Sequence, residues 1–205
     1  GSTVNIRGMD LQAGELIIED GGSLIARPGS INTVRDAKVT VTGQNSTLIA
    51  ENGRWFIGAT GTGELLVEKG GKVVAGEGFV SEGPGGYGTL RLESGGLLEA
   101  AQVSRRDLDA TVIFDGGILR LTGHQSYLFE RLTDVTVQGG GAVIDTNGYG
   151  VATATSFQGP GSLTKEGTGT LTLSGDNRNL LGGTIVKEGT LRSASFQSVA
   201  YAPLM

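Results

Sequence analysis

The sequence contains no cysteine, four prolines and one histidine in 205 residues. The lack of cysteine excludes a disulfide framework. The scarcity of proline excludes collagen and a disordered Pro/Gly tract. Basic residues are scattered and the net charge is −5, which argues against a nucleic-acid partner. No stretch approaches the roughly 18 apolar residues of a membrane span.

Glycine is the abundant residue, with 37 copies. Together with many Leu, Val, Ile and Thr residues, it indicates an all-β protein of short strands joined by tight turns. One segment is an exception. Residues 126–134 ("SYLFERLTD") are predicted to form either one or two helical turns or a loop that packs Tyr127 and Phe129 on the flank.

A repeated unit runs through the chain: an alternating apolar strand, an acidic or polar residue, a glycine pair and a second apolar strand. Clear copies occupy residues 15–26, 46–58, 64–75, 89–100, 111–121 and 134–145. The turn glycines of these and two later copies are Gly22, Gly53, Gly71, Gly96, Gly117, Gly140, Gly167 and Gly189. Their spacing near twenty-odd residues favours a stacked coil, since the strands of a sandwich would give turns about every 8–12 residues.

One unit cannot bury its own apolar face, but stacked units bury a continuous column. The pattern therefore predicts a parallel β-helix of roughly eight to ten turns, each rising about 4.8 Å. Glycine at the corners is expected to supply a positive φ. Glu19, Glu68 and Glu93 precede glycine pairs at equivalent positions, and stacked they would form an acidic ladder.

Residues 159–191 ("GPGSLTKEGTGTLTLSGDNRNLLGGTIVKEGTL") resemble the autotransporter-associated β-strand repeat. The matching positions are Gly159, Gly161, Leu163, Lys165, Gly167, Gly169, Thr170, Leu171, Leu173, Gly175, Asn177, Gly182, Gly183, Thr184, Gly189, Thr190 and Leu191. Leu180 stands where the loop of that family usually carries an aromatic residue. Residues 111–151 also resemble passenger domains of adhesin-type autotransporters.

The resemblance implies a right-handed β-helix, of which residues 1–205 form one segment of a longer passenger. It implies a bacterial cell-surface or secreted protein, exported across the outer membrane and joined to it only through a C-terminal barrel outside this chain. The expected partner is a host or bacterial surface receptor or glycan, or a second copy of the protein. We expect a non-enzymatic role in adhesion, autoaggregation or display, with turns 159–191 assisting folding and secretion.

Two alternatives remain open at this point: a purely structural secretion module, and a β-helical polysaccharide lyase or hydrolase. Carboxylates for such an enzyme would come from Asp107, Asp109, Asp115, Asp134 and Asp145. A serine hydrolase would need His124 as its base. However, Gly175-Asp176 is not followed by the serine expected of protease passengers. We therefore expect no catalytic residue.

No cofactor or metal site is expected either, because Ala142 interrupts the glycine pattern of a calcium-binding nonapeptide in "GGGAVID". Three aromatic residues are candidate surface contacts. Trp55 and Phe56 are adjacent, so one of them must face outward if both lie on a strand. The third, Tyr87, lies near the end of the glycine-rich insertion at residues 75–88.

Overall fold

The computed structural model describes residues 1–27, 29–80, 85–105 and 110–199, with backbone alone at 51–53 and 77–80. These residues form 23 strands and no helix. The predicted parallel β-solenoid is confirmed, with about eight turns. Each ladder between the strands is parallel.

The strands lie in three stacks. The first stack contains, in order, β1 (Thr3–Ile6), β4 (Ser23–Ala26), β7 (Thr47–Ile57), β9 (Lys72–Val80), β11 (Leu97–Ala100), β14 (Gly117–Leu121), β17 (Ala142–Asp145), β20 (Leu163–Glu166) and β22 (Thr184–Val186). The second contains β3 (Gly14–Ile18), β6 (Ala37–Thr42), β8 (Thr62–Glu68), β10 (Tyr87–Glu93), β13 (Ala110–Asp115), β16 (Asp134–Val137) and β19 (Ser156–Gln158).

The third stack changes composition along the solenoid. Its early part contains β2 (Met9–Leu11), β5 (Ile31–Thr33), the later halves of β7 and β9, β12 (Gln102–Ser104) and β15 (Phe129–Glu130). Its late part contains β18 (Gly150–Thr153), β21 (Thr170–Leu173) and β23 (Thr190–Ser193). A single backbone bridge between Tyr127 and Ala152 connects the two parts.

The prediction of helical turns at 126–134 is wrong. Phe129 lies in β15 and is buried, whereas Tyr127 is 53% exposed. Here β15 pairs in parallel with β12, one turn earlier. The backbone N–H and C=O groups of this strand therefore form hydrogen bonds between turns, and not within a helix.

One apolar core runs the length of the solenoid. In-register side chains of the first stack form a column through it: Leu24, Leu48, Val73, Leu98, Leu119 and Ile144. Each member packs on the equivalent residue one turn away, which is why the alternating pattern recurs with similar residues. Burial of one such side chain contributes about 1.5–3 kcal/mol.

The corners between the second and first stacks use two different glycine properties. At residues 68–71 the N–H of Gly71 donates to the carbonyl of Glu68 (2.8 Å), and φ is 51° at Lys69 and 83° at Gly70. Two successive positive φ values define a type I′ turn. The expectation of a positive φ at Gly71 was therefore wrong, because the positive φ belongs to the glycine before it. The same holds at Gly22 and Gly96, where Gly21 and Gly95 have the positive φ.

The second glycine of the pair is required by contact between turns. A Cβ at Gly96 would lie 2.1 Å from the carbonyl oxygen of Val67 in the preceding turn. Any side chain there would push two turns apart. The first glycine thus permits the turn, and the second permits the stacking.

The expected acidic ladder is interrupted at Thr42 but continues from Glu68 through Glu93 to Asp115, and basic side chains partly neutralise it. Thr42 stands between the positions of Glu19 and Glu68, and its hydroxyl donates to Glu68 Oε1 (3.0 Å). Lys69 Nζ lies 2.9 Å from the same carboxylate, and these contacts hold the pKa of Glu68 below its usual value. Glu93 is bound by Arg91, whose Nε donates to it at 2.7 Å.

Candidate functional site in the C-terminal turns

Within the part of the chain that the structure describes, the first-stack column contains one charged residue, Lys165. It lies in register with Ile144 below and Val186 above, and its side chain is fully buried. In the alternation of β20, Leu163 and Lys165 both face the core. The sequence carried this signal in the period-2 pattern of "LTKEG", although sequence reasoning identified Lys165 only as a repeat position.

The ammonium group of Lys165 donates to three backbone carbonyls. Its Nζ lies 2.7 Å from the oxygen of Glu166, 2.6 Å from that of Gly167 and 3.0 Å from that of Glu188. The first two belong to its own corner, and the third belongs to the corner one turn on. Lys165 therefore connects two successive turns from the inside.

Burial of the ammonium lowers the pKa of Lys165, and the nearby carboxylates of Asp145 and Glu188 oppose this shift. Three donors matched to three carbonyls compensate much of the cost of removing the charge from water. The arrangement leaves no donor for a substrate, which is typical of a structural lysine.

Asn177 connects three successive turns. Its Oδ1 accepts from the backbone N–H of Phe157 (2.6 Å), and its Nδ2 donates to the carbonyl of Ser198 (2.6 Å). Its own backbone N–H donates to the carbonyl of Gln197 (2.8 Å), and the side chain is fully buried. Within the described residues, β19 is the last strand of the second stack. Above it, the side chain of Asn177 provides the hydrogen bond to Phe157 that the backbone of a further strand would otherwise provide.

The other repeat residues build the frame around these two side chains. Leu163, Leu171 and Leu173 are buried, and Leu191 is half-buried. The residues Thr170, Thr184 and Thr190 open β21, β22 and β23. Gly159, Gly167, Gly183 and Gly189 have positive φ. At Gly161, Gly169, Gly175 and Gly182 a Cβ would meet backbone of the preceding turn.

Leu180 occupies the loop position at which the autotransporter-associated repeat usually has an aromatic residue. It is 1% exposed and forms a backbone bridge with Gly159. Its N–H donates to the carbonyl of Asn177 (3.0 Å). A leucine thus completes the core here without an aromatic ring.

A charged row lies on the outer surface over the lysine. It contains, in order along the first stack, Glu99, Arg120, Asp145, Glu166 and Lys187. Arg120 Nε lies 2.7 Å from Asp145 Oδ2, and Lys187 Nζ lies 2.9 Å from Glu166 Oε1. The open groove beside it is lined by Asn147, Thr168 and Glu188 as well. Of the carboxylates that line this groove, Asp145 and Glu166 already have a basic partner.

The structure separates the three aromatic candidates. Trp55 is 4% exposed and stacks in register with Ile31, so its proposed surface contact is wrong. A register shift in β7 between Ala50 and Arg54 sets the phase in which Trp55 points inward and Phe56 is half-buried. Tyr87 is exposed, at 42%. The insertion at 75–88 falls partly outside the described residues.

The candidate catalytic groups lie apart from one another. Asp115 accepts from the N–H of Gly140 (2.7 Å), while Asp145 binds Arg120 and the N–H of Asn147 on a different stack. His124 packs edge-on against Tyr149, with ring centroids 5.1 Å apart. Asp134 opens β16, and Asp107 and Asp109 lie outside the described residues.

The described residues offer neither a metal site nor a membrane-spanning helix. Among them, no group of three or more His, Asp or Glu side chains is placed to hold a metal ion. Nor do they include a helix of the length and apolar character needed to cross a membrane.

Residues 163–192 match the family model of the passenger-associated-transport-repeat. The chain carries this repeat. The match coincides with the turns held by Lys165 and Asn177, and together with the parallel β-solenoid it fits an autotransporter passenger domain with its repeat. Neither the curated proteins nor the solved structures contain a match to the chain.

Proposed function

We propose that this chain is a non-enzymatic scaffold segment of a bacterial passenger domain, which acts in adhesion, autoaggregation or display. The transport repeat implies a secreted or cell-surface protein. Its C-terminal turns assist folding during export across the outer membrane. The observation that carries the proposal is that Lys165 and Asn177 bind backbone groups of neighbouring turns.

Folding outside a cell must proceed without ATP, so the alignment of each turn has to come from the chain itself. An apolar column discriminates poorly between correct and slipped turns, because similar residues recur at each level. A buried polar group discriminates sharply, since a turn in the wrong position leaves it unpaired at a cost of about 1–3 kcal/mol. The two side chains therefore fix the turns on which the rest of the solenoid can stack.

The engagement of the carboxylates favours a scaffold over the alternative of a polysaccharide-cleaving enzyme. Glycoside hydrolysis needs two carboxyl groups within about 10 Å across one bond. Asp145 and Glu166 do line one groove, but each already has a basic partner, Arg120 or Lys187, and Asp115 lies on a different stack and binds the N–H of Gly140. Stacked turns with polar outer faces offer the long, regular surface typical of binding scaffolds.

The folding role is tested in bacteria that display a passenger containing this chain. Two test variants are compared with matched controls. Lys165→Met is compared with Ile144→Met, and Asn177→Ala is compared with Asn179→Ala. We expect surface display, measured by antibody binding to intact cells, to fall several-fold for Lys165→Met and Asn177→Ala but not for the two controls. Unchanged display of both variants, with purified protein destabilised, would overturn the folding role.

The adhesive role is tested separately. Bacteria that display the unaltered passenger should attach to epithelial cells or aggregate with one another more than bacteria whose passenger lacks this segment. Equal attachment and equal aggregation at matched display would overturn this part of the proposal.

A further inference from the structure

Tyr87 is an exposed aromatic ring that is held in place. It opens β10, and its hydroxyl forms a hydrogen bond with Thr111 Oγ1 on β13, one turn on (2.9 Å). The ring is thus fixed at its backbone and at its hydroxyl while the side chain remains 42% exposed. A ring ordered in advance loses little conformational entropy when a ligand binds.

Two open grooves meet at this ring, and Tyr87 lines both. The groove toward the earlier turns is also lined by Asp36, Thr62 and Thr89. The groove toward the later turns is also lined by Arg105, Thr133 and Asp134. Because the strands are parallel and in register, these hydroxyl and charged groups recur along the solenoid axis about every 4.8 Å.

The chemistry of the two grooves suits a polyhydroxylated ligand. An exposed aromatic face packs against the C–H face of a sugar, while carboxylate and hydroxyl oxygens bind its hydroxyl groups. Lys38 and Glu64, in the same stack, pair with each other at 3.4 Å. The other charged side chains that line the two grooves are Asp36, which accepts a hydrogen bond from the Thr62 hydroxyl, Asp134 and Arg105. Together they carry no excess of positive charge, which disfavours an anionic polymer.

We propose that Tyr87 and the two grooves beside it form a binding subsite for a neutral oligosaccharide that lies along the solenoid axis. The subsite rests on the proposed adhesive function, for which it supplies a ligand class. Thr111 is a positioning residue in it, because it orients the ring without being required to touch the sugar.

The test is a titration of the purified chain with cellohexaose, maltohexaose and chitohexaose, and with hexagalacturonate as the anionic comparison. Backbone amide shifts in NMR spectra report the site. We expect at least one neutral hexasaccharide to shift the amides of Thr89, Thr111 and Asp134. Absence of these shifts with all three neutral sugars, or tighter binding of hexagalacturonate, would overturn the proposal.

Variants separate the ring from its tether. Tyr87→Ala should weaken binding about tenfold through loss of the stacking face. Tyr87→Phe, which loses only the bond to Thr111, should weaken it about threefold. The control Tyr127→Ala removes another exposed tyrosine, which lies outside the two grooves, and should leave binding unchanged. Equal affinity of the Tyr87→Ala and wild-type proteins would contradict the proposal.

Displayed passengers distinguish the subsite from the adhesive role on which it rests. If bacteria carrying Tyr87→Ala attach as well as those carrying Tyr127→Ala, the subsite fails while the adhesive role stands. If the unaltered passenger supports no attachment or aggregation, the adhesive role fails, and the titration still decides whether the sugar binds.

Discussion

The early and late turns of this solenoid differ in how many buried polar side chains they contain. Of the fully described buried polar side chains, four lie before residue 105 and seven lie after residue 145. The first group is Thr33, Thr40, Ser46 and Ser104, and the second is Thr146, Thr153, Thr155, Thr164, Lys165, Asn177 and Ser198. The early turns rely mainly on an aliphatic column and on glycine corners, although the hydroxyls of Thr33 and Ser46 accept from backbone N–H groups of neighbouring turns. The late turns contain more such contacts, including those of a buried ammonium group and a buried amide.

The difference teaches how a repetitive protein can specify its alignment. Apolar burial is roughly proportional to area and does not depend on direction, so it stabilises a stack without selecting one register. Hydrogen bonds in a buried setting depend on distance and angle, and an unmatched group is costly. The late turns, which contain more of these contacts, therefore contribute more of this specificity than the early turns do.

The largest effect is expected for Asn177→Ala. It leaves the N–H of Phe157 and the carbonyl of Ser198 unpaired in two different turns, and should lower the free energy of unfolding by about 4 kcal/mol. Urea denaturation measures it. The exposed Asn179→Ala is the control and should change stability by less than about 0.5 kcal/mol. Similar losses in both variants would mean that the buried amide contributes nothing particular to the late turns.

Lys165→Met tests whether the charged member of the column is more than a space-filling residue. The substitution keeps most of the volume but removes donors from three carbonyls, and we expect a loss of about 3 kcal/mol. Ile144→Met, one turn below in the same column, should cost less than about 1.5 kcal/mol. A gain in stability for Lys165→Met would show that burial of the ammonium outweighs its hydrogen bonds.

A pair of corner variants examines the early turns. Gly96→Ala places a Cβ 2.1 Å from the Val67 carbonyl oxygen and should cost about 2–3 kcal/mol, because two turns must separate. At Gly95, φ is 78°, and no atom beyond the adjacent residues lies within 4 Å of the position that a methyl group would occupy. Gly95→Ala should therefore cost only about 1 kcal/mol. Equal melting temperatures for the two variants would mean that contact between turns does not limit this corner.

The smallest effect concerns pH. The pKa of Glu68 is lowered in the folded protein, chiefly by Lys69, so its contribution is present above its unfolded pKa near 4.5 and is lost as pH falls through the folded value. We expect under about 1 kcal/mol. Glu68→Gln should flatten the stability profile between pH 6 and pH 3 relative to the wild type. A profile that keeps the full slope would assign the acid dependence to other carboxylates.

Much of the fold could be predicted from the alternation and the glycine pairs, because these features are local. The strand positions and the parallel stacking follow from that pattern. The phase of Trp55 could not be predicted, since it depends on a register shift within β7. The strand at Phe129–Glu130 could not be predicted either, because its partner is β12 of another turn.

The candidate site divides in the same way. Lys165 and Asn177 were identified from the sequence only as repeat residues, although the alternation in "LTKEG" carries the signal that puts Lys165 on the core side. Their partners were not identifiable, because Glu188 and Ser198 are more than twenty residues away in sequence and approach only when the next turn closes. The tether between Tyr87 and Thr111 likewise joins two turns.

The sequence by itself determined that the chain coils into stacked, glycine-cornered turns, since period-2 apolarity and close-packed corners are properties of short segments. Only the tertiary structure decided which groups meet across turns: the carbonyls around Lys165, the two turns joined by Asn177 and the ring held at Thr111. The physical reason is that a hydrogen bond depends on positions fixed to within a few tenths of an ångström, and those positions exist only once neighbouring turns are in register.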